Sequence, residues 1–234
     1  MPTKFLKVLA HGTTKLDVVY TNESREVPFF LQQLKEKWFD DAMEHEKFLG
    51  LDPEYTADQR GVAVIQLCFA RHVLIFQWAR SDKHCPELMD FLRSGITFAT
   101  IDIRNDKLKM RHSFGIEIPA GCLVDLQTVF RLRHDRTSMA HMAVALIDEE
   151  YGDMKTSFPK SEHKLWEKAP LDPINIEYQQ KMRTFHTSCT ARFESSTMAS
   201  VTSRKVDILI QTIQTSSVLN IEHLYIYIYG SYYY

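Results

Sequence analysis

The chain has 234 residues, 44% of them hydrophobic and 25% charged, with a formal net charge of -2. That length and apolar content suffice for one well-buried core and exclude a disordered chain, while the near-neutral charge excludes a strongly basic nucleic-acid polyelectrolyte. Cys68, Cys85, Cys122 and Cys189 are widely spaced and form no C-x-x-C, which excludes a disulfide framework and a zinc site and suits core thiols in a reducing compartment.

KFLKVLAH and KLDVVYT, separated by Gly12 and two threonines, predict a hairpin. VPFFLQQLKEKWFDDAM carries apolar groups at helical spacing, with Phe29, Phe30 and Trp38 read as core. Three strands follow in quick succession, KFLGLDPEY, GVAVIQLCFA and HVLIFQWA, whose short links imply an antiparallel meander. CPELMDFLRSG has Pro near its first turn and ends on Gly95, the asymmetry of a short helix. ITFATIDI predicts a fourth central strand, and NDKLKMRHSFG a helix capped by Asn105 and closed by Gly115. GCLVDLQTVF predicts a strand, SMAHMAVALIDEEYG a helix, and KLWEKAPLDPINIEYQQKM a Pro-marked turn with a helix from about Pro173, with Trp78 and Trp166 in the core. The pattern is α/β: a mixed central sheet with helices on both faces.

Beyond about Tyr178 the character changes. A Ser/Thr-rich stretch leads to VDILIQTIQTSSVLNIEHLYIYIYGSYYY, whose uncharged Tyr/Ile alternation has strong β-propensity and suits strand addition or self-association. The expected division is therefore a main domain over 1–182 and a divergent segment over 183–234. MPTKFLKVLAHGTT lacks the apolar core of a signal peptide, and no run of about 18 apolar residues exists to span a bilayer. The expectation is an intracellular protein of cytoplasm or nucleus, with organelle import as the alternative that the acid-free, Lys-containing start leaves open.

Asp52 and Glu54 raise the chemical question. In a strand they share a face and Pro53 takes the other, so two like charges sit side by side at the end of a buried run. Such a pair is costly without a positive partner, most often a metal ion. In order and spacing, LGLDPEYT, VAVIQLCFARHVLIFQ, TFATIDIRNDKLKM, VDLQTVF and LWEKAPLDPINIEY resemble the DEDD-type 3'-5' exonuclease domain with a ribonuclease H-like fold, Tyr subtype, in its Werner-syndrome-helicase-like plant branch. Gly50, Leu51, Asp52 and Glu54 fit the first motif, with Tyr55 where that family usually has Trp. Asp106 fits the second, although Thr100 and Asp102 stand where small glycines are common. The third motif is Tyr, three residues, then Asp. Tyr178 supplies the Tyr, but Met182 stands at the Asp position, and the likeness ends there, leaving the terminal helix region divergent.

That resemblance implies two divalent ions about 4 Å apart, one generating the attacking hydroxide and one stabilising the leaving oxygen. It implies Asp52, Glu54 and Asp106 as ligands of Mg²⁺ or Mn²⁺, and Asp52, Glu54, Asp106 and Tyr178 as catalytic residues, Tyr178 orienting the water. A helix places residues i and i+4 on one face, so Met182 would point to the same site as Tyr178, and a thioether is a poor ligand for a hard cation. The expectation is weak metal binding and lost or very low activity, leaving a protein that acts by binding nucleic acid or another protein. Lys107, Lys109 and Arg111 are the candidate phosphate contacts, with Arg131, Arg133 and Arg136 forming a second basic stretch. Two alternatives remain: a self-associating interaction protein that uses the fold as scaffold and the Tyr-rich tail as contact, for homo-oligomers or a protein partner, and an active nuclease whose last ligand comes from the tail.

Overall fold

The structure is a computed structural model that describes residues 3–10, 14–42, 47–101, 103–126, 144, 161, 164–171 and 175. Tyr178, Met182, Asp102, Cys189, the run Arg131, Arg133 and Arg136, and the Ser/Thr- and Tyr-rich tail lie outside the described residues, as does the expected boundary at 182.

Lys4–Ala10 (β1) and Thr14–Thr21 (β2) form the predicted hairpin, with Lys4 opposite Tyr20. Phe48–Tyr55 (β3), Val62–Phe69 (β4) and His72–Phe76 (β5) form the predicted antiparallel meander. The hairpin joins it through a parallel pairing of β2 with β5, and Thr97–Thr100 (β6) and Leu123–Asp125 (β7) add in parallel beyond β3. Among the described residues this is one mixed sheet in the order β1-β2-β5-β4-β3-β6-β7. Every residue of β4 is buried, because the strand is central and covered on both faces, which is why it reads as a continuous apolar run rather than an alternation.

Glu26–Leu34 (α1) buries Val27, Phe30, Leu31 and Leu34, the i, i+3, i+4, i+7 stripe of a helix lying on a sheet. Phe29 falls off that stripe and is 58% exposed, so its assignment to the core is corrected. The helix continues as a π turn over Lys35–Phe39, in which Trp38 is half-buried and stacks on His72 with ring centroids 3.4 Å apart. Pro86–Arg93 (α2) starts on Pro86, and the chain leaves it through Gly95 at φ +89°, a backbone that favours glycine. The fifth strand is shorter than HVLIFQWA suggested, since Trp78–Arg80 closes into a 3-10 turn.

Ile103–Phe114 (α3) begins before Asn105, not on it. Its first amide is met from another element: the Ile103 N–H donates to the Asp125 carboxylate at 3.4 Å. Gly115, at φ +65°, ends the helix as predicted, its N–H donating to the Arg111 carbonyl at 2.9 Å.

α1, α2 and α3 cover one face of the sheet, over a core that includes Leu49, Leu51, Ile65, Leu67, Phe98 and Met110. On the other face, Leu16, Val18, Tyr20, Val64, Cys68, Val73 and Ile75 pack with Trp166 and Leu171 of the segment 164–171, which leads to the buried, helical Asn175. Cys68 and Cys85 are buried, Cys122 is partly buried, and none of the three is in a disulfide. Among the described residues no helix is long and apolar enough to cross a membrane.

Candidate functional site

Asp52 and Glu54 stand two apart on β3, opposite Gln66 and Val64 of β4. Cross-strand partners share a face, so with Val64 in the second core cluster both carboxylates turn toward the face covered by Trp166 and Leu171. Pro53 takes the opposite face and is buried. At the strand's end the ladder slips, Tyr55 pairing with Val62 where a regular register would give Ala63. A bulge of this kind bends a strand and re-aims the side chain at its end.

α3 supplies Asp106 from its first turn, where the helix dipole favours a negative group. The residue is only 4% exposed. The Tyr55 hydroxyl donates to Asp106 Oδ1 at 2.5 Å, and the Thr100 hydroxyl, itself 1% exposed at the end of β6, donates to Asp106 Oδ2. Each oxygen of this carboxylate thus accepts a hydrogen bond from a side-chain hydroxyl. Tyr55 is held far above the ordinary tyrosine range, first by burial and then by Asp106, Asp52 and Glu54. It is therefore a neutral donor at any physiological pH, and all three carboxylates of the expected site act on this one phenol.

The basic residues of α3 do not act alike. The Lys109 ammonium lies 5.4 Å from the centre of the Tyr55 ring, within cation-π range. Arg111 is engaged by Glu117 at 3.0 Å, with both side chains largely exposed. Lys107, the residue after Asp106 in α3, is exposed.

The segment preceding the expected third motif is anchored to the sheet by Gln77, which is fully buried. Its side-chain amide donates to the carbonyls of Trp166 at 3.0 Å and Lys168 at 2.6 Å, while its carbonyl oxygen accepts from the Tyr20 hydroxyl at 2.8 Å. That hydroxyl in turn accepts from the Leu171 N–H at 3.3 Å. Glu167 closes a second contact, its carboxylate accepting from the Ala57 N–H just beyond β3.

Of the residues expected to form the site, the structure brings Asp106 directly onto Tyr55 and puts Asp52 and Glu54 within electrostatic reach of the same side chain. Tyr178 lies outside the described residues. Among the described residues, no three His, Cys, Asp or Glu side chains gather as a group that could hold a metal ion. Among the described residues, the expected carboxylate ligands therefore do not form a two-ion centre as they stand. Where a ligand carboxylate would turn to a cation, Asp106 turns to two hydroxyls. Sequence reasoning had marked Tyr55 and Thr100 as departures from a pattern without reading them as hydrogen-bond donors, and it missed Asp125 and Gln77.

No family model matches the chain, and no curated protein matches it. Solved structures do. RNase D of Trypanosoma brucei, in its GMP complex, superposes with a TM-score of 0.59 at 15% identity, over 90% of this chain and 71% of that one. The catalytic core of RRP6 from Trypanosoma brucei gives 0.57 at 15%, over 96% and 53%. Escherichia coli RNase D, an exoribonuclease involved in structured RNA processing, gives 0.54 at 19%, over 74% and 43%. The chain thus spans about half the length of the RRP6 core and less of the bacterial enzyme. At these identities the likeness establishes the fold, a ribonuclease H-like exonuclease fold with a mixed central sheet flanked by helices.

Proposed function

We propose that the protein is a divergent 3'-5' exonuclease-like protein that binds nucleic-acid ends without efficient hydrolysis. The observation that carries this reading is the state of Asp106, both of whose oxygens accept from the Tyr55 and Thr100 hydroxyls. A Mg²⁺ ion demands several oxygen ligands in near-octahedral geometry, and an acid already shared between two hydroxyls is a poor member of that set. Met182 at the position of the last acidic ligand weakens the set further. What the fold retains is the means to hold a strand end: Lys109 beside Tyr55 and the exposed Lys107 on the same helix for phosphate contact, on a scaffold shared with a nuclease crystallised with GMP.

The test is incubation of the full chain with 3'-labelled single-stranded RNA, single-stranded DNA and 3'-recessed duplex in Mg²⁺ or Mn²⁺, with fluorescence anisotropy on the same substrates. Retarded rotation without degradation is the expected result. Robust degradation that disappears in Asp52→Ala overturns the reading.

A further inference from the structure

Among the described residues β1 lies at one edge of the sheet, paired with β2 on one side only. It is seven residues long, whereas β7, at the opposite edge, has three. An edge of that length presents a row of backbone N–H and C=O groups to a further strand. The side chains of β1 are apolar on both faces. Phe5 shares the α1 face with its cross-strand partner Val19 and is 73% exposed. Leu6 and Val8 take the other face, partly buried against the second core cluster.

Beside Phe5 a cavity of about 220 Å³ opens between β1, β2 and α1, walled by Phe5, Phe29, Phe30 and Trp38, with Asp17 and Glu26 also in its lining. Aromatic walls with carboxylate acceptors at hand suit a phenol, whose ring packs on apolar surface while its hydroxyl donates to an acid. β1 also carries Lys4 and Lys7, so two copies of this strand would bring like charges together, and the edge favours a strand without cations. Residues 206–234 contain no Lys or Arg and carry Asp207 and Glu222. Within them, residues 224–229 read LYIYIY. As a strand this stretch is aliphatic on one face and tyrosine on the other, and so matches an edge that is apolar on both.

We infer that residues 224–229 add to β1 of the same chain as a further strand, with the tyrosine face toward the aromatic cavity and the aliphatic face extending Leu6 and Val8. The connection is long enough. The 49 positions from Asn175 to residue 224 (224 − 175) reach well beyond the width of the sheet. The chain already passes beside this edge at Leu171, whose N–H donates to the Tyr20 hydroxyl of β2, and Tyr20 pairs with Lys4. A segment of the same molecule also competes at a higher effective concentration than one on another copy.

The experiment is hydrogen–deuterium exchange with mass spectrometry on the full chain, for the wild type, Phe5→Glu and Ile226→Pro/Tyr227→Pro, with light scattering at two protein concentrations tenfold apart. Successive prolines remove one N–H of each orientation, so one lost donor faces β1 in either register. The amides of β1 are expected to exchange at least about tenfold faster in both variants, with those of β4 unchanged, and the wild type to keep one monomeric mass at both concentrations. If Phe5→Glu does not fold, the proline variant decides, since its changes lie outside β1 and the core clusters. Equal exchange of β1 in the wild type and the proline variant overturns the inference. So does a wild-type mass that rises with concentration and falls back in the proline variant, which would make a second copy the occupant.

Discussion

Gln77→Leu is a nearly shape-conserving change at a fully buried position. It deletes the two bonds to the Trp166 and Lys168 carbonyls and the acceptor of the Tyr20 hydroxyl. A buried polar group left without a partner costs about 1 to 3 kcal/mol. The Trp166 carbonyl and the Tyr20 hydroxyl are buried and bear that cost in full, whereas Lys168 is exposed, so its carbonyl turns to water. The expected loss is therefore roughly 3 to 5 kcal/mol, well above the typical point mutation. Tyr20→Phe leaves the Gln77 amide on its two carbonyls but strands the buried Gln77 Oε1 and the Leu171 N–H, so it should cost roughly 2 to 4 kcal/mol. Urea unfolding followed by circular dichroism gives both values. Tryptophan fluorescence adds a local readout, since Trp166 is buried on the segment that Gln77 anchors and its emission should shift to the red. A Gln77→Leu protein within about 0.5 kcal/mol of the wild type, with unshifted emission, would refute the claim that this amide fastens the segment to the sheet.

Two further outcomes follow from the geometry. His72 has its pKa lowered to about 4, by burial first and then by Arg71, against the opposing pull of Asp17; its imidazole side chain is only 11% exposed and lies flat on Trp38. Between pH 6.5 and 4 the unfolded chain binds the extra proton, so stability rises with pH through that window and is level above it; the contribution lost by pH 4 is about 3 kcal/mol. The difference in unfolding free energy between the wild type and His72→Phe should show this slope, and a difference independent of pH would contradict it. At Gly61 a Cβ would sit 2.7 Å from the Ser113 hydroxyl, which accepts the Val62 N–H at 2.6 Å. Gly61→Ala should therefore destabilise by about 1 to 2 kcal/mol on thermal melting, and Gly61→Ala/Ser113→Ala should recover the steric part of that loss.

What could be read from the chain follows the range of the interactions. The meander of β3, β4 and β5 was legible because its strands are consecutive and its links short, and α2 because Pro86 and Gly95 mark its ends within its own sequence. The face shared by Asp52 and Glu54 is a matter of strand period alone. The parallel seam between β2 and β5 was not legible, since it joins Asp17 to His72 across the whole of α1, β3 and β4. The start of α3 was misplaced for the same reason. Asn105 is a good local cap, but Asp125 on β7 supplies a carboxylate to an earlier amide, and no local rule sees it. Phe29 was lost in a cluster of apolar letters, where only the angular position on α1 separates it from the buried Phe30. The chemistry of Asp106 depends on Tyr55, 51 residues away, and on Thr100. Composition and motif could point to all three residues, but not to their meeting.

That meeting also predicts how the proposed loss of hydrolysis responds to repair. If the only defect were the sulfur of Met182, Met182→Asp would complete the acidic set and restore Mg²⁺-dependent degradation. With Asp106 held by two hydroxyls, a further acid at position 182 leaves any cation to compete for a carboxylate that already accepts two hydrogen bonds. Met182→Asp alone is therefore expected to leave the 3'-end assay blank, whereas Met182→Asp combined with Tyr55→Trp and Thr100→Gly should show a melting temperature that rises with added Mn²⁺ by linkage, and measurable degradation. Restoration by Met182→Asp alone would show that the hydroxyls yield readily to a cation, and that the carboxylate they hold was available throughout.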